Sequence, residues 1–122
     1  MNNYKQQLGA LGEKAAANFL KAKGHRVLKT NYHTRFGEID IITQTGEYTV
    51  FVEVKTRTSS DYGNPSEAVN FYKQNHMRKC AAYYLYPDKY DTPMRFDVVE
   101  VIGSLRGGNI FIDSINHIEN AF

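Results

Sequence analysis

Two β-rich segments separated by a tight turn constrain this chain more than any other feature. Glu38 to Gln44 and Tyr48 to Arg57 are dense in Ile, Val, Phe, Tyr and Thr, residues that suit a pleated, half-buried surface. Thr45-Gly46 between them predicts a hairpin turn. Residues two apart in a strand share a face, so Phe51, Glu53 and Lys55 point one way and Val50, Val52 and Val54 the other. With Thr45-Gly46 as a two-residue loop, Gln44 pairs with Glu47, Asp40 with Phe51 and Glu38 with Glu53. Asp40 then becomes a diagonal neighbour of Glu53. Three carboxylates and one ammonium are thereby predicted on a single patch of sheet.

Such a patch is costly without a cation, because adjacent carboxylates repel and partial burial raises their pKa values until one protonates. A divalent ion removes the conflict. Hard oxygen ligands at this spacing suit Mg²⁺ or Mn²⁺, and such an ion beside a lysine is equipped to hydrolyse a phosphodiester. The competing reading is a solvated Glu/Lys pair on an exposed strand face, and spacing alone leaves both open.

The flanking segments supply a scaffold. Tyr4 to Lys23 is helical by period, with Leu8, Leu11, Ala15, Phe19 and Ala22 inward and Gly24 as terminator. Gly9 and Gly12 weaken that helix and so point to close packing. His25 to Tyr32 reads as a strand. After a polar loop from Thr58 to Pro65, a second helix is capped either by the box Asn64-Pro65-Ser66-Glu67 or by Asn70. It covers Phe71 to Tyr86, turns Met77, Ala81, Tyr84 and Leu85 inward, and ends at Pro87. Arg95 to Ile102 and Asn109 to Ile115 are two last strands joined by a Gly103 to Gly108 turn. The order α-β-β-β-α-β-β predicts an α/β fold, a mixed β-sheet flanked by helices, in one domain over residues 1–122.

Fifteen Lys plus Arg against thirteen Asp plus Glu leave a net charge of +2, so a nucleic-acid surface must come from local clustering. The one cysteine, Cys80, excludes an internal disulfide and a cysteine metal cluster. No apolar run approaches the ~20 residues of a membrane span, and the amino terminus lacks the apolar core of a signal peptide. A cytoplasmic protein that does not engage a membrane is the expectation.

Arg35-Phe36-Gly37-Glu38-Ile39-Asp40-Ile41-Ile42 followed by Val50-Phe51-Val52-Glu53-Val54-Lys55-Thr56-Arg57 resembles the signature of the YraN-like family. These are bacterial predicted endonucleases related to archaeal Holliday-junction resolvases within the PD-(D/E)xK nuclease superfamily. The similarity continues through Gly63, Lys73 and Arg95-Phe96-Asp97-Val98. It implies a restriction-endonuclease-like core and an endonuclease that hydrolyses DNA, including branched DNA, with Mg²⁺ or Mn²⁺. By position, Asp40 and Glu53 would be the metal-binding acids and Lys55 the motif lysine. Glu13 would be a first-helix glutamate supporting the metal. Ile39 stands where the superfamily name has proline, and His76 where a basic residue is expected.

Other residues carry weaker claims. Arg35, Arg57, Lys73 and Arg78 lead a candidate phosphate-binding rim that also takes in Arg26, Lys29 and Lys79. Glu38 ranks behind Asp40 because Arg35 or Arg57 could neutralise it. Asp97 reads as a structural salt bridge or turn contact. His25, His33, His76 and His117 lack zinc-site spacing. Tyr83, Tyr84 and Tyr86 crowd one helix end, where they fill the core or stack on bases. The loop from Thr58 to Asn64 is a candidate DNA-contacting element. The alternative to a nuclease is a non-catalytic nucleic-acid-binding module on the same scaffold. Symmetric cleavage of a two-fold junction would require a homodimer.

Overall fold

A computed structural model describes residues 3–58, 69–89 and 91–122. Its elements are α1 (Tyr4–Ala22), β1 (Arg26–Thr34), β2 (Gly37–Thr45), β3 (Tyr48–Arg57), α2 (Phe71–Leu85), β4 (Met94–Arg106) and β5 (Asn109–Ile118). This is the predicted order. The strands form one sheet in the order β1-β2-β3-β4-β5. β3 and β4 run parallel and every other pair is antiparallel. The parallel pair needs a crossover, and α2 lies in it. No helix among the described residues is long and apolar enough to cross a membrane.

The alternation in β3 divides the core as the sequence predicts. Val50, Val52 and Val54 join Ala16 and Leu20 of α1, together with Val99 and Val101. Phe51 joins Met77, Cys80, Ala81 and Leu85 of α2, with Phe96 and Val98. Each helix thus covers one face of the sheet. In α1 the buried stripe is Leu8, Gly12, Ala16 and Leu20, in place of the predicted Leu11, Ala15, Phe19 and Ala22. Close approach is the reason. A Cβ on Gly12 would stand 2.6 Å from Thr56 Cγ2, so the helix lies against β3 through its glycine. Gly9, also expected to permit close packing, has nothing within 4 Å of the position its Cβ would take.

Two boundaries differ from the sequence reading, and one left open between two caps is decided. The hairpin turn is Gly46-Glu47, with Gly46 at φ +56°, so Thr45 pairs with Tyr48 and the register moves by two residues. β4 and β5 extend to Arg106 and Asn109, leaving a turn of Gly107-Gly108 at φ +58° and +82°. Asn70 caps α2 by accepting from the Lys73 N–H at 2.8 Å. The other cap, Asn64 to Glu67, and the loop residues 59–64 lie outside the described residues.

Candidate functional site

β2 is regular as far as Ile41 and then changes. Ile42 packs in the α2 layer and Ile41 in the α1 layer, but Ile39 returns to the α2 layer although, two positions from Ile41, it should share that residue's face. The alternation therefore breaks at Asp40. On the neighbouring strand Asn31 takes φ +51°, opposite the same point, since Thr30 pairs with Ile41 and Tyr32 with Ile39. The β2–β3 ladder also stops at Ile41 and Val52, although both strands continue. Where the strands part, the Asp40 carboxylate fills the gap: Oδ2 accepts from the buried Val54 N–H at 2.8 Å.

This seam brings Asp40 and Glu53 together in near-complete burial, at 8% and 4% exposure. Burial first, and then the charge of Glu53, push the Asp40 carboxyl up to about 7. Lys55 Nζ stands 3.5 Å and Lys73 Nζ 3.6 Å from Glu53, both at Oε2. Glu53 Oε1 is left as a buried oxygen with no hydrogen-bond partner among the described residues. Glu13, on the turn of α1 that Gly12 holds against β3, is coupled to the pair. Its carboxyl rises to about 7 through partial burial and the charges of Asp40 and Glu38.

A groove of about 620 Å³ runs between α1 and the β1–β2 edge and ends at Asp40. Glu13 lies on its wall, along with Lys5, Lys14 and Lys21. These three lysines were missed in the sequence; Lys14 and Lys21, seven residues apart on one helix face, were the available signal.

The remaining predicted residues disperse. Glu38 turns to His33 Nδ1 at 3.2 Å, its partner across β1–β2, and not to Arg35 or Arg57. Arg57 lies 3.5 Å from the buried Glu100. Arg78 stacks over Phe96 and Phe122, and Arg35 over Phe36. Of the four leading phosphate contacts only Lys73 touches the acid pair. Asp97 is the structural salt bridge expected of it, held by Arg95 at 3.0 Å. His76 bonds the Tyr72 carbonyl at 2.8 Å within its own helix.

The donor set fits a hard divalent cation. Two adjacent carboxylates, one with an unpartnered oxygen and the other resisting ionisation, are what a cation would relieve, and Mg²⁺ takes one or two carboxylates and keeps waters. Among the described residues no three His, Cys, Asp or Glu side chains are grouped closely enough to hold a metal. Glu13 is therefore not gathered as a third ligand, and its influence on the pair is electrostatic.

Residues 12–101 match the family model described as uncharacterised protein family UPF0102. A UPF0102 protein of Acetivibrio thermocellus is 46% identical over 122 residues, covering 98% of this chain and 94% of its own. Another, from Caldicellulosiruptor bescii, is 48% identical over 121 residues, covering 96% and 98%. A third, from Thermodesulfovibrio yellowstonii, is 42% identical over 116 residues, covering 95% and 96%. With the match spanning both the acid pair and the sheet that carries it, the chain belongs to the UPF0102 family.

Proposed function

We propose that this protein is a divalent-metal-dependent endonuclease that hydrolyses DNA phosphodiester bonds, with branched DNA among its substrates. The observation that carries the reading is the buried Asp40–Glu53 pair, one oxygen of which has no donor among the described residues while Asp40 is pushed up to about 7. A fold that needed only stability would have given that oxygen a donor as well. Asp40 and Glu53 would hold Mg²⁺ or Mn²⁺. When bound, the ion supplies charge neutralisation at the phosphate and activation of water.

The chain's own groups do the rest. Val54 N–H fixes the Asp40 carboxylate from the main chain, so the acid is oriented before substrate arrives. Lys55, 3.5 Å from Glu53, sets a positive charge beside the pair, where it stabilises charge developing on the phosphate and orients the attacking water. Lys5, Lys14 and Lys21 line the approach to Asp40 and suit a phosphate backbone.

Nicking of plasmid and four-way-junction DNA tests the reading. Cleavage is expected with Mg²⁺ or Mn²⁺, and Asp40→Asn, Glu53→Gln and Lys55→Ala should each reduce it by about 100-fold or more. Mn²⁺ should raise the melting temperature of the wild type and not that of Asp40→Asn. DNA binding without cleavage in either metal would refute the enzyme and leave a binding module. Cleavage that survives all three substitutions would place the activity elsewhere.

A further inference from the structure

The turn joining β1 to β2 and the last turns of α2 enclose a second cleft, of about 300 Å³, lined by Arg35, Phe36, Lys79, Ala82, Tyr83 and Tyr86. Lys79, Ala82, Tyr83 and Tyr86 recur at steps of three, four and seven, one face of α2 ending in its cap. Tyr84 turns the other way and packs edge-on against Phe51 and Tyr32. The tyrosines of this helix end are thus divided between core and cleft. Tyr83 remains 58% and Tyr86 72% exposed. Phe36 meets Tyr83 edge-on at 6.3 Å, and the Arg35 guanidinium lies 5.0 Å from the Phe36 ring centre. Among the described residues no acidic side chain lines the cleft.

Open aromatic faces forgo the hydrophobic gain of burial, and a flat apolar ligand would restore it. Arg35 and Lys79, with no acid on the cleft among the described residues, select a ligand that also carries negative charge. Flat rings strung on a phosphate backbone satisfy both demands when the rings are unpaired, because the faces of bases in a duplex are already stacked. The position is suitable by two paths. Asp40 lies four residue steps after Phe36 along β2, about 13 Å of strand. Six to ten residues of α2 separate Lys73, at Glu53, from Lys79 and Tyr83, about 9–15 Å of helix. The cleft therefore lies a few nucleotides from the acid pair.

We propose that this cleft binds an unpaired nucleic-acid strand, stacking bases on Tyr83 and Tyr86 and pairing phosphates with Arg35 and Lys79. That the strand belongs to the substrate of the acid pair rests on the nuclease reading; the binding itself does not.

Titration of the full chain with fluorescent (dT)12, (rU)12 and a DNA duplex, in EDTA so that no cleavage is needed, tests the cleft. Tyr83→Ala/Tyr86→Ala should weaken (dT)12 binding about tenfold or more while changing duplex binding by no more than about twofold, and Tyr83→Phe/Tyr86→Phe should restore it. Arg35→Ser/Lys79→Ser should lower the slope of log affinity against log salt for (dT)12 by about 1.4, and decides the matter if the alanine pair fails to fold. Weakening of (rU)12 alone would keep the cleft and change its strand to RNA. Unaltered (dT)12 and (rU)12 binding in these variants overturns the proposal, even where the wild type nicks DNA. Self-association lost in the variants with strand binding unchanged also overturns it, by assigning the cleft to a second copy. Strand binding that depends on the cleft in a protein that nicks nothing would instead remove the nuclease reading and leave the cleft standing.

Discussion

Asp40 and Asp97 are both buried aspartates of one sheet, and their surroundings are opposite. Asp97 receives Arg95 Nε at 3.0 Å, His117 Nε2 at 2.7 Å and the Asn120 N–H at 3.0 Å. Lys23 Nζ lies 2.7 Å from His117 Nδ1; the ammonium has only protons to give, so Nδ1 accepts and Nε2 carries the proton aimed at Asp97. Burial acts to raise the Asp97 pKa, but the bonds from His117, Arg95 and Asn120 outweigh it and hold the carboxyl below the usual range. Asp40 has one backbone donor and a carboxylate for a neighbour, and goes the other way. Asp97 ties the C-terminal segment to β4, where Ala121 N–H also bonds the Phe96 carbonyl at 2.7 Å. The acid that ties the C-terminal segment is surrounded by donors; the acid at the seam has one donor and a second carboxylate beside it.

The largest expected effect separates the two directly. Asp97→Ala leaves Arg95 and His117 without their buried partner and should cost about 3–5 kcal/mol in urea unfolding. Asp40→Asn, in the same assay at pH 8 with EDTA, should stabilise the protein or leave it unchanged, because it removes a repulsion and keeps an oxygen for the Val54 N–H. Comparable losses at Asp97 and Asp40 would erase the distinction.

The pH dependence sharpens it. Asp40 has a higher pKa folded than unfolded, so the folded state binds more protons between about pH 4 and 7, and stability falls as pH rises through that window. Asp40→Asn should shrink that decline to the share that the raised Glu13 carboxyl contributes, its advantage over the wild type growing to a few kcal/mol above pH 7. Asp97 is depressed, so its contribution is complete above about pH 4 and is lost as pH falls below that. Unfolding free energies from pH 3 to 8 distinguish the two slopes. Mn²⁺ affinity should rise toward pH 7 over the same window, since the ion competes with the Asp40 proton.

The acid pair was legible in the sequence for a reason of parity. The predicted hairpin register was wrong by two residues, yet a slip of two keeps every side chain on its face, and Asp40 stayed beside Glu53. The kink that sends Ile39 and Ile41 to different layers was not legible, because it accompanies a left-handed Asn31 on another strand. Glu38 was misassigned through the same gap: its partner His33 follows from the β1–β2 register, which no local pattern specifies. The groove lysines depend on where α1 lies across the sheet. The close approach of Gly12 to Thr56 is part of what places it, and the helical period does not show that contact.

That contact gives the smallest predictions and the closest control. Gly12→Ala drives a methyl into Thr56 and should cost about 1–3 kcal/mol. By pushing α1 off β3 it should also carry Glu13 away from Asp40 and bring the Glu13 carboxyl down from about 7, read by carboxyl NMR titration. Asp97, fixed largely by β4, β5 and the C-terminal segment, should keep its low pKa in the same titration. Gly9→Ala, three residues earlier, meets nothing within 4 Å and should instead stabilise α1 by about 0.5–1 kcal/mol, the ordinary gain of alanine over glycine within a helix. Opposite signs at two glycines of one helix would show that helix propensity governs Gly9 and close approach to Thr56 governs Gly12. A loss at Gly9 equal to that at Gly12 would mean that α1 answers to glycine content alone, and the special seat of Glu13 would disappear with it.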